Sequence, residues 1–588
     1  MIEERLRRLY GEREGGRAAA LLESRLDRWC ERHPSAGGRR RPDQSDVLLI
    51  TYADTFEGEG PPLRTLHTFA REHLRDLVSG VHVLPFFPWS SDYGFAIKDY
   101  LKVDPRLGTW DDVDALAGEF DLMVDFVCNH LSAESGWFRS FLAGRLPERD
   151  YFLTADPRAD LSAVVRPRTT PLLTEVATDA GPRWVWTTFS ADQADLDYHH
   201  PSLLLRVLGV LLTYAEHGAT RVRLDAVGYL WKELGTSCIH LPQTHELVKL
   251  FRDVLDLAAP GVSIVTETNV PHRDNVRYFG DGRDEAQMVY QFPLAPLVLD
   301  AFGRGDGGHL RDWARDLSTP SEETTFFNFL ASHDGIGLVP ARGLLSSEEL
   351  GALADRVRRG GGQVSMKSEP DGGQSPYELN ATFFDALGDP AEAWTLRRDR
   401  FLASQSIMLA LAGVPGVYVH SLFGSHNFEA DYRRSGWARD LNHGHLPLSQ
   451  LEARLGDPGG ETAQIFSGMQ ALLRARRGHP AFHPAAPQAL PDAPPAVLCI
   501  RRGPARGRGV LCLVNLSDRR QPVDLASLTA DARLGAPLFG NLRDSSLDPC
   551  ATVWIDLSFD SGDQAVTPGG PNPGEVGANS VCNAQSGT

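Results

Sequence analysis

The sequence predicts an α/β chain built on a (β/α)8 barrel, and three observations predict it. Eight apolar, β-type runs recur between residues 46 and 420, helical stripes alternate with them, and each run is continuously apolar. A strand that is apolar on both faces belongs to a parallel sheet covered by helices. Eight strand–helix units close such a sheet into a barrel. An open doubly wound sheet usually carries a glycine-rich phosphate loop after its first strand, and Tyr52-Ala53-Asp54-Thr55 is not one.

In chain order, residues 1–45 form an extension. Ile2, Leu6, Leu9 and Tyr10 share one helical face, and Leu22, Leu26 and Trp29 continue a stripe after Gly15-Gly16. These helices are expected to pack on the main body, and the breaker-rich stretch 34–42 to be a linker. The barrel then occupies 46–475, with strands at 47–51, 81–84, 122–127, 221–226, 263–266, 288–291, 326–330 and 417–420. Helices are expected around 63–77, 203–214 and 401–411. Two insertions, 132–200 and 341–400, follow strands three and seven at the face where barrel active sites form, so both are candidate lids. Proline-flanked β-type runs at 476–558 predict a small antiparallel β domain. The Gly/Pro/Asn/Ser-rich stretch 559–588 predicts a disordered tail.

Composition narrows the function. The 588 residues are 42% hydrophobic and 23% charged, ordinary for a globular chain, and the formal net charge of -18 argues against nucleic-acid and anionic-membrane binding. Any anionic substrate must be held by local arginines. Seven scattered cysteines without a CxxC pair indicate neither a zinc site nor a disulfide framework. The charged start Met1-Ile2-Glu3-Glu4-Arg5 lacks an apolar signal core, and no apolar run is long enough to span a bilayer, so a cytoplasmic protein is expected.

The chemistry sits at the strand ends. Strand four, Arg221-Val222-Arg223-Leu224-Asp225-Ala226, ends in a carboxylate whose arginine lies two positions upstream, on the same face. That guanidinium should hold Asp225 ionised, as a nucleophile requires. A buried Arg–Asp pair fits this stretch alone equally well. Strand three, however, ends in Asp125-Phe126-Val127-Cys128-Asn129-His130, strand five in Glu267, and strand seven runs into His333-Asp334. In a barrel these groups meet at one mouth. Carboxylates and histidines so placed suit glycosidic cleavage: one carboxylate attacks, one acid protonates the leaving oxygen, and the rest hold hydroxyls. A metal site is the rival, but there is no HxH or HExxH, so no metal is expected.

The same four stretches, in this order, resemble the signature regions of the α-amylase family, glycoside hydrolase family 13, over about residues 46–475. Gly80-Val81-His82-Val83-Leu84-Pro85-Phe86-Phe87-Pro88, Asp92-Tyr93-Gly94-Phe95 and Ala331-Ser332-His333-Asp334-Gly335-Ile336-Gly337 resemble the sucrose phosphorylase branch. The resemblance implies that Asp225 is the nucleophile forming a glucosyl-enzyme, Glu267 the general acid/base and Asp334 the transition-state stabiliser. It implies that Asp92, Phe95, His130, Arg223, His333 and Arg439 hold the glucosyl unit. Phosphate would then take the sugar and leave as α-glucose 1-phosphate, held by Arg168 and Tyr377 with Glu378 beside them. The basic patch Arg166-Pro167-Arg168 fits phosphate independently, because phosphate needs charged donors.

Two features depart from sucrose phosphorylases: Tyr377-Glu378 stands where they usually carry Tyr-Gln, and the N-terminal extension is long. Glu267-Thr268-Asn269-Val270-Pro271-His272 and Tyr278-Phe279-Gly280 are more similar to the glucosylglycerate phosphorylases of the subfamily. Sucrose, glucosylglycerol and sucrose 6-phosphate phosphorylases stay open as alternatives, and a hydrolase or transglucosidase more distantly. A glycerate acceptor would need its own cation, for which Arg342, Arg433 and Arg434 are candidates. The branch generally works without calcium, so no cofactor is expected. The expected partners are a small α-glucoside and inorganic phosphate, on a monomer or homodimer.

Overall fold

A computed structural model of the chain describes residues 1–33, 40–168, 170–368, 373–504, 507–529 and 532–559. Most of the expected linker (34–39) and of the expected tail (560–588) lies outside the described residues.

Eight parallel strands close a barrel in chain order: β1 (Leu48–Thr51), β2 (Gly80–Val83), β3 (Asp121–Val127), β4 (Ala219–Asp225), β5 (Ser263–Thr266), β6 (Met288–Tyr290), β7 (Thr325–Phe329) and β8 (Val414–Tyr418). Nearly every strand residue is buried, which is why the runs read as continuously apolar. The eighth strand begins earlier than its sequence run suggests. Pro415 and Gly416 read as breakers, yet a Cβ at Gly416 would stand 2.4 Å from the Phe327 ring, so the barrel wall closes there only over glycine. His420 falls in the following helix, Val419–Phe423. The three expected helices form as Pro62–His73, Pro201–Glu216 and Trp394–Ala410.

Register decides which side chains meet. β3 and β4 set Asp125 opposite Arg223 and Val127 opposite Asp225, and β5 sets Val265 opposite Arg223. The two arginines of β4 serve opposite ends of the barrel. Arg221 donates to Asp46 (2.8 Å) and Asp121 (3.0 Å), while Arg223 turns to Asp125 and Asp225.

Residues Ile2–Arg32 form two helical segments that turn at Gly11 (φ 76°, ψ 171°). The break expected at Gly15-Gly16 is therefore displaced. Gly15 lies where the two segments touch, and a Cβ there would come 2.4 Å from the Leu6 carbonyl oxygen. The segment docks on helices Pro201–Glu216 and Pro242–Ala258. Arg5 bridges to Asp253 (2.7 Å) and Glu246 (3.3 Å), Tyr10 donates to the Tyr198 carbonyl (2.9 Å), and Arg25 to that of Leu205 (3.0 Å).

Between β3 and β4 the chain leaves the barrel and returns, pairing His130–Ser132 with Gln193–Asp195 and folding a hairpin of Leu173–Thr178 and Gly181–Trp186. Between β7 and β8 it adds helix Ser347–Arg359 and a three-stranded sheet in the order Ile336–Gly337, Gln374–Asn380, Gln363–Ser368. The C-terminal strands, among them Val497–Arg502, Gly507–Asn515 and Thr552–Phe559, make a five-stranded antiparallel sheet. Its residues alternate: Leu498, Ile500 and Trp554 join the main core, while Cys499, Leu511 and Ile555 form a separate one. Among the described residues no helix is long and apolar enough to cross a membrane.

Candidate active site

The ends of β3, β4, β5 and β7 open into a cleft of about 800 Å³, counted with its solvent-open space. Eleven of the twelve expected site residues line it: Asp92, Phe95, His130, Arg168, Asp225, Glu267, His333, Asp334, Tyr377, Glu378 and Arg439. The twelfth, Arg223, lies just beneath, fully buried against Asp225.

Asp225 closes β4, and the next residue, Ala226, takes a left-handed conformation (φ 50°). That turn presents the Ala226 N–H to Glu267, whose Oε2 accepts it at 3.0 Å. The two carboxylates thus stand at the ends of adjacent strands. Arg223 donates from Nη1 to Asp225 Oδ1 at 2.9 Å and to Asp125, which His82 also contacts at 2.7 Å. Its guanidinium lies over the rings of Phe95 and Tyr290, 5.6 and 5.4 Å from their centroids.

The arginine stands where the sequence placed it, but it does not settle the charge of Asp225. Burial raises the proton affinity of both Asp225 and Glu267. Arg223 opposes this at each, and neighbouring carboxylates, Glu267 on Asp225 and Asp334 on Glu267, add to it. Burial and like charge outweigh one guanidinium, so the pair keeps a proton above the ordinary carboxylate range. Asp125 is the contrast: burial is outweighed by Arg223 and His82, and it falls to about 2.

Asp334 is held the other way. Burial would raise it, but the guanidinia of Arg439 (Nη1–Oδ1 2.7 Å), Arg223 and Arg168 pull it well below the usual range. Arg439 also donates to Glu378 (3.0 Å) and so spans two carboxylates. The short helical turn Ala438–Asn442 that carries it is tied down on both sides. Asn442 donates to the Ser332 carbonyl at 2.6 Å, His443 contacts the His333 carbonyl, and Asp440 accepts from the Tyr93 hydroxyl. Burial lowers His333 to about 3 and His443 to about 4, so both rings are neutral. Phe95 stacks on His333 with centroids 4.8 Å apart.

Sequence reasoning missed several residues here. Gln193 donates to Asp92 (2.9 Å) and also contacts His130 (3.2 Å), whose Nε2 meets the Phe95 carbonyl at 3.0 Å. Only the pairing of His130–Ser132 with Gln193–Asp195 brings it in, and no local pattern announces that. Tyr229, Phe189, Asn269 and His240 also line the cleft. His82 and Asp125 were legible, since each is a polar residue inside an apolar β-run. The cation candidates Arg342, Arg433 and Arg434 do not line the cleft. Arg433 and Arg434 sit on the exposed helix Glu429–Ser435, paired with Glu429 and with Asp431 (2.7 Å), and Arg342 donates to Ser375 (2.6 Å). Arg168 is the insertion's cation in the cleft.

Residues 72–335 match the family described as alpha amylase, catalytic domain. A protein of Allomeiothermus silvanus named glucosylglycerate phosphorylase is 50% identical over 94% of this chain and 98% of its own length. One of the same name from Spirochaeta thermophila is 46% identical over 91% of this chain and 92% of its own. The crystal structure of a sucrose 6F-phosphate phosphorylase from Thermoanaerobacter thermosaccharolyticum superposes with a TM-score of 0.71 at 26% identity, covering 80% of this chain and 94% of that one.

Proposed function

The chain belongs to the α-amylase family, in the branch of the glucosylglycerate phosphorylases, and from that premise we propose that it is a retaining glucoside phosphorylase acting on glucosylglycerate. It moves the glucosyl unit to inorganic phosphate and releases α-glucose 1-phosphate and glycerate.

The observation that carries the reading is the unequal treatment of three carboxylates in one cleft. Asp334 is locked as an anion by Arg439, while burial and like charge raise the proton affinity of both Asp225 and Glu267. Asp225 faces a guanidinium at 2.9 Å, whereas Glu267 accepts a single backbone N–H, so the proton belongs on Glu267. That division supplies an acid and a nucleophile side by side. An Asp225 oxygen attacks the anomeric carbon as its bond to the glycerate oxygen breaks, and Glu267 gives its proton to that oxygen. The ionised Asp334 opposes the positive charge developing on the sugar. In the second half a phosphate oxygen attacks the same carbon from the vacated side, Glu267 takes the phosphate's proton, and Asp225 leaves. Two inversions give net retention. Asp92, His130, His333, Arg439 and Phe95 surround the glucosyl unit, with Arg168, Tyr377 and Glu378 on the acceptor side. We place the reaction in the cytoplasm, where phosphate is abundant, on a monomer or homodimer.

The protein is incubated with phosphate and, separately, glucosylglycerate, sucrose and glucosylglycerol, and α-glucose 1-phosphate is measured. Release from glucosylglycerate is expected. Release from another donor alone keeps the mechanism and discards the acceptor, and glucose without phosphate dependence makes the protein a hydrolase.

A further inference from the structure

The molecule buries one ammonium that the reaction does not use. Lys232 follows the turn Val227–Tyr229 behind Asp225, is almost fully enclosed, and does not line the cleft. Its Nζ lies 2.8 Å from Asn129 Oδ1 and 2.8 Å from Asp195 Oδ2, and it also donates to the Tyr229 carbonyl. An ammonium has three N–H donors, and here each has an acceptor. Asp195 is equally buried. It accepts three further bonds, from the Thr188 N–H (2.9 Å), the Thr188 hydroxyl (2.6 Å) and Asn129 Nδ2 (3.2 Å).

A buried ion pair is weak evidence for stability, because apolar side chains of similar size often serve as well. What an ammonium adds is direction, and its three acceptors sit on three separate segments. Asn129 follows β3 and precedes His130. Asp195 belongs to the strand on which the insertion returns, two residues from Gln193 and so on the same face. Tyr229 lines the cleft just after β4.

Asn129 passes the constraint on. A lysine only donates, so the amide oxygen must face Nζ, and the amide nitrogen then faces Asp195 and His130 Nδ1 (3.3 Å). Burial lowers His130, so its ring is neutral. With Nδ1 accepting, the ring carries its proton on Nε2, which meets the Phe95 carbonyl at 3.0 Å. On the other arm, Gln193 donates to Asp92 at 2.9 Å.

We propose that Lys232 is a positioning residue for the glucosyl unit: it orients His130 through Asn129, and Asp92 through the strand of Asp195 and Gln193, without touching the sugar.

The inference rests on the phosphorylase reading for which residues surround the glucosyl unit, and glucose itself separates the two. The Kd for glucose is measured by titration, and KM and kcat are measured for glucosylglycerate and α-glucosyl fluoride at saturating phosphate. Lys232→Met should raise the glucose Kd and both donor KM values by one common factor, about tenfold or more. Turnover should stay within about threefold, because the reacting carboxylates are held separately, by Arg223, the Ala226 N–H and Arg439. Lys232→Arg should not restore binding, since a planar fork cannot meet three converging acceptors. Asp195→Asn should raise the same three constants by a smaller factor. Combined with Lys232→Met it should cost less than the product of the two, because no carboxylate is then left unanswered. Unfolding midpoints are read for each variant, and if Lys232→Met fails to fold, Asp195→Asn decides. A lowered midpoint with Kd and KM unchanged makes Lys232 structural only, and unequal factors for the two donors place its effect on the leaving group; either overturns the proposal. If the wild type forms no α-glucose 1-phosphate, the phosphorylase reading falls and the glucose Kd still decides on Lys232. If the wild type binds no glucose, the proposal falls.

Discussion

The floor of the cleft and its rim differ in how their charge is answered. On the floor, strand register sets charge against charge: Asp125 faces Arg223 across β3 and β4, Asp225 follows on the same arginine, and Asp334 meets Arg439. On the rim, Arg168 and His240 come from loops, and neither has an ionic partner among the described residues. The floor is neutralised before substrate arrives and can divide protons among its carboxylates. The rim waits for a charge that substrate brings. Preorganised groups serve the chemical step and uncommitted ones serve binding, so damage to each should register in different constants.

The sharpest break is Asp225→Asn. Removing the attacking oxygen should lower turnover by roughly 10⁴-fold or more, and no burst of glucosyl-enzyme should form from any donor. Retained turnover would remove Asp225 from its role. Next comes Glu267→Gln, expected to cost about 10²- to 10⁴-fold with glucosylglycerate, whose leaving oxygen needs a proton. The same variant should lose far less with α-glucosyl fluoride, whose leaving group needs none; equal losses would mean that Glu267 is not the acid. The wild-type pH profile tests the same proton. Because burial raises the pair above the ordinary range, kcat/KM for glucosylglycerate should fall as pH rises through the pair's raised value, and Glu267→Gln should abolish that limb.

Arg439→Lys is a smaller perturbation. A lysine cannot span Asp334 and Glu378, so we expect a loss of about 10- to 100-fold, chiefly in kcat, with Asp334 drifting back toward ordinary acidity. A change confined to KM would place Arg439 in ground-state binding alone. The mildest test is Tyr93→Phe, which removes the hydroxyl that reaches Asp440. Asp92 and Tyr93 are both held left-handed (φ 54° and 51°), so the bond helps keep Asp92 in place. A loss near 1 kcal/mol is expected, read as a several-fold rise in KM for the donor with kcat nearly intact.

Much of the floor was legible because a strand's two-residue period fixes which side chains point together. Arg223 and Asp225, two apart, are neighbours in any strand. The raised proton affinity of Asp225 was not legible, since it depends in part on Glu267 and Asp125, residues 42 positions onward and 100 back in the chain. The rim was legible only in part. Arg168 stood out as charge, but Gln193 and His240 depend on how long insertions return, and such loops have no period to read. Arg433 and Arg434 show the opposite error. Their spacing from Glu429 and Asp431 is that of i,i+4 and i,i+3 pairs on one helix, which marks them as solvated partners of their own neighbours.

The N-terminal segment has a bearing on how long the enzyme lasts. It lies across helices Pro201–Glu216 and Pro242–Ala258, the two that bracket β4, the second of them leading into the strand that ends before Glu267. The piece of barrel that carries both reacting carboxylates therefore cannot swing outward until this strap has peeled from Asp253, Glu246 and the Tyr198 and Leu205 carbonyls. A catalytic unit fastened from outside resists the partial openings that admit proteases and begin aggregation. Its half-life under heat is then governed by residues that never approach the sugar.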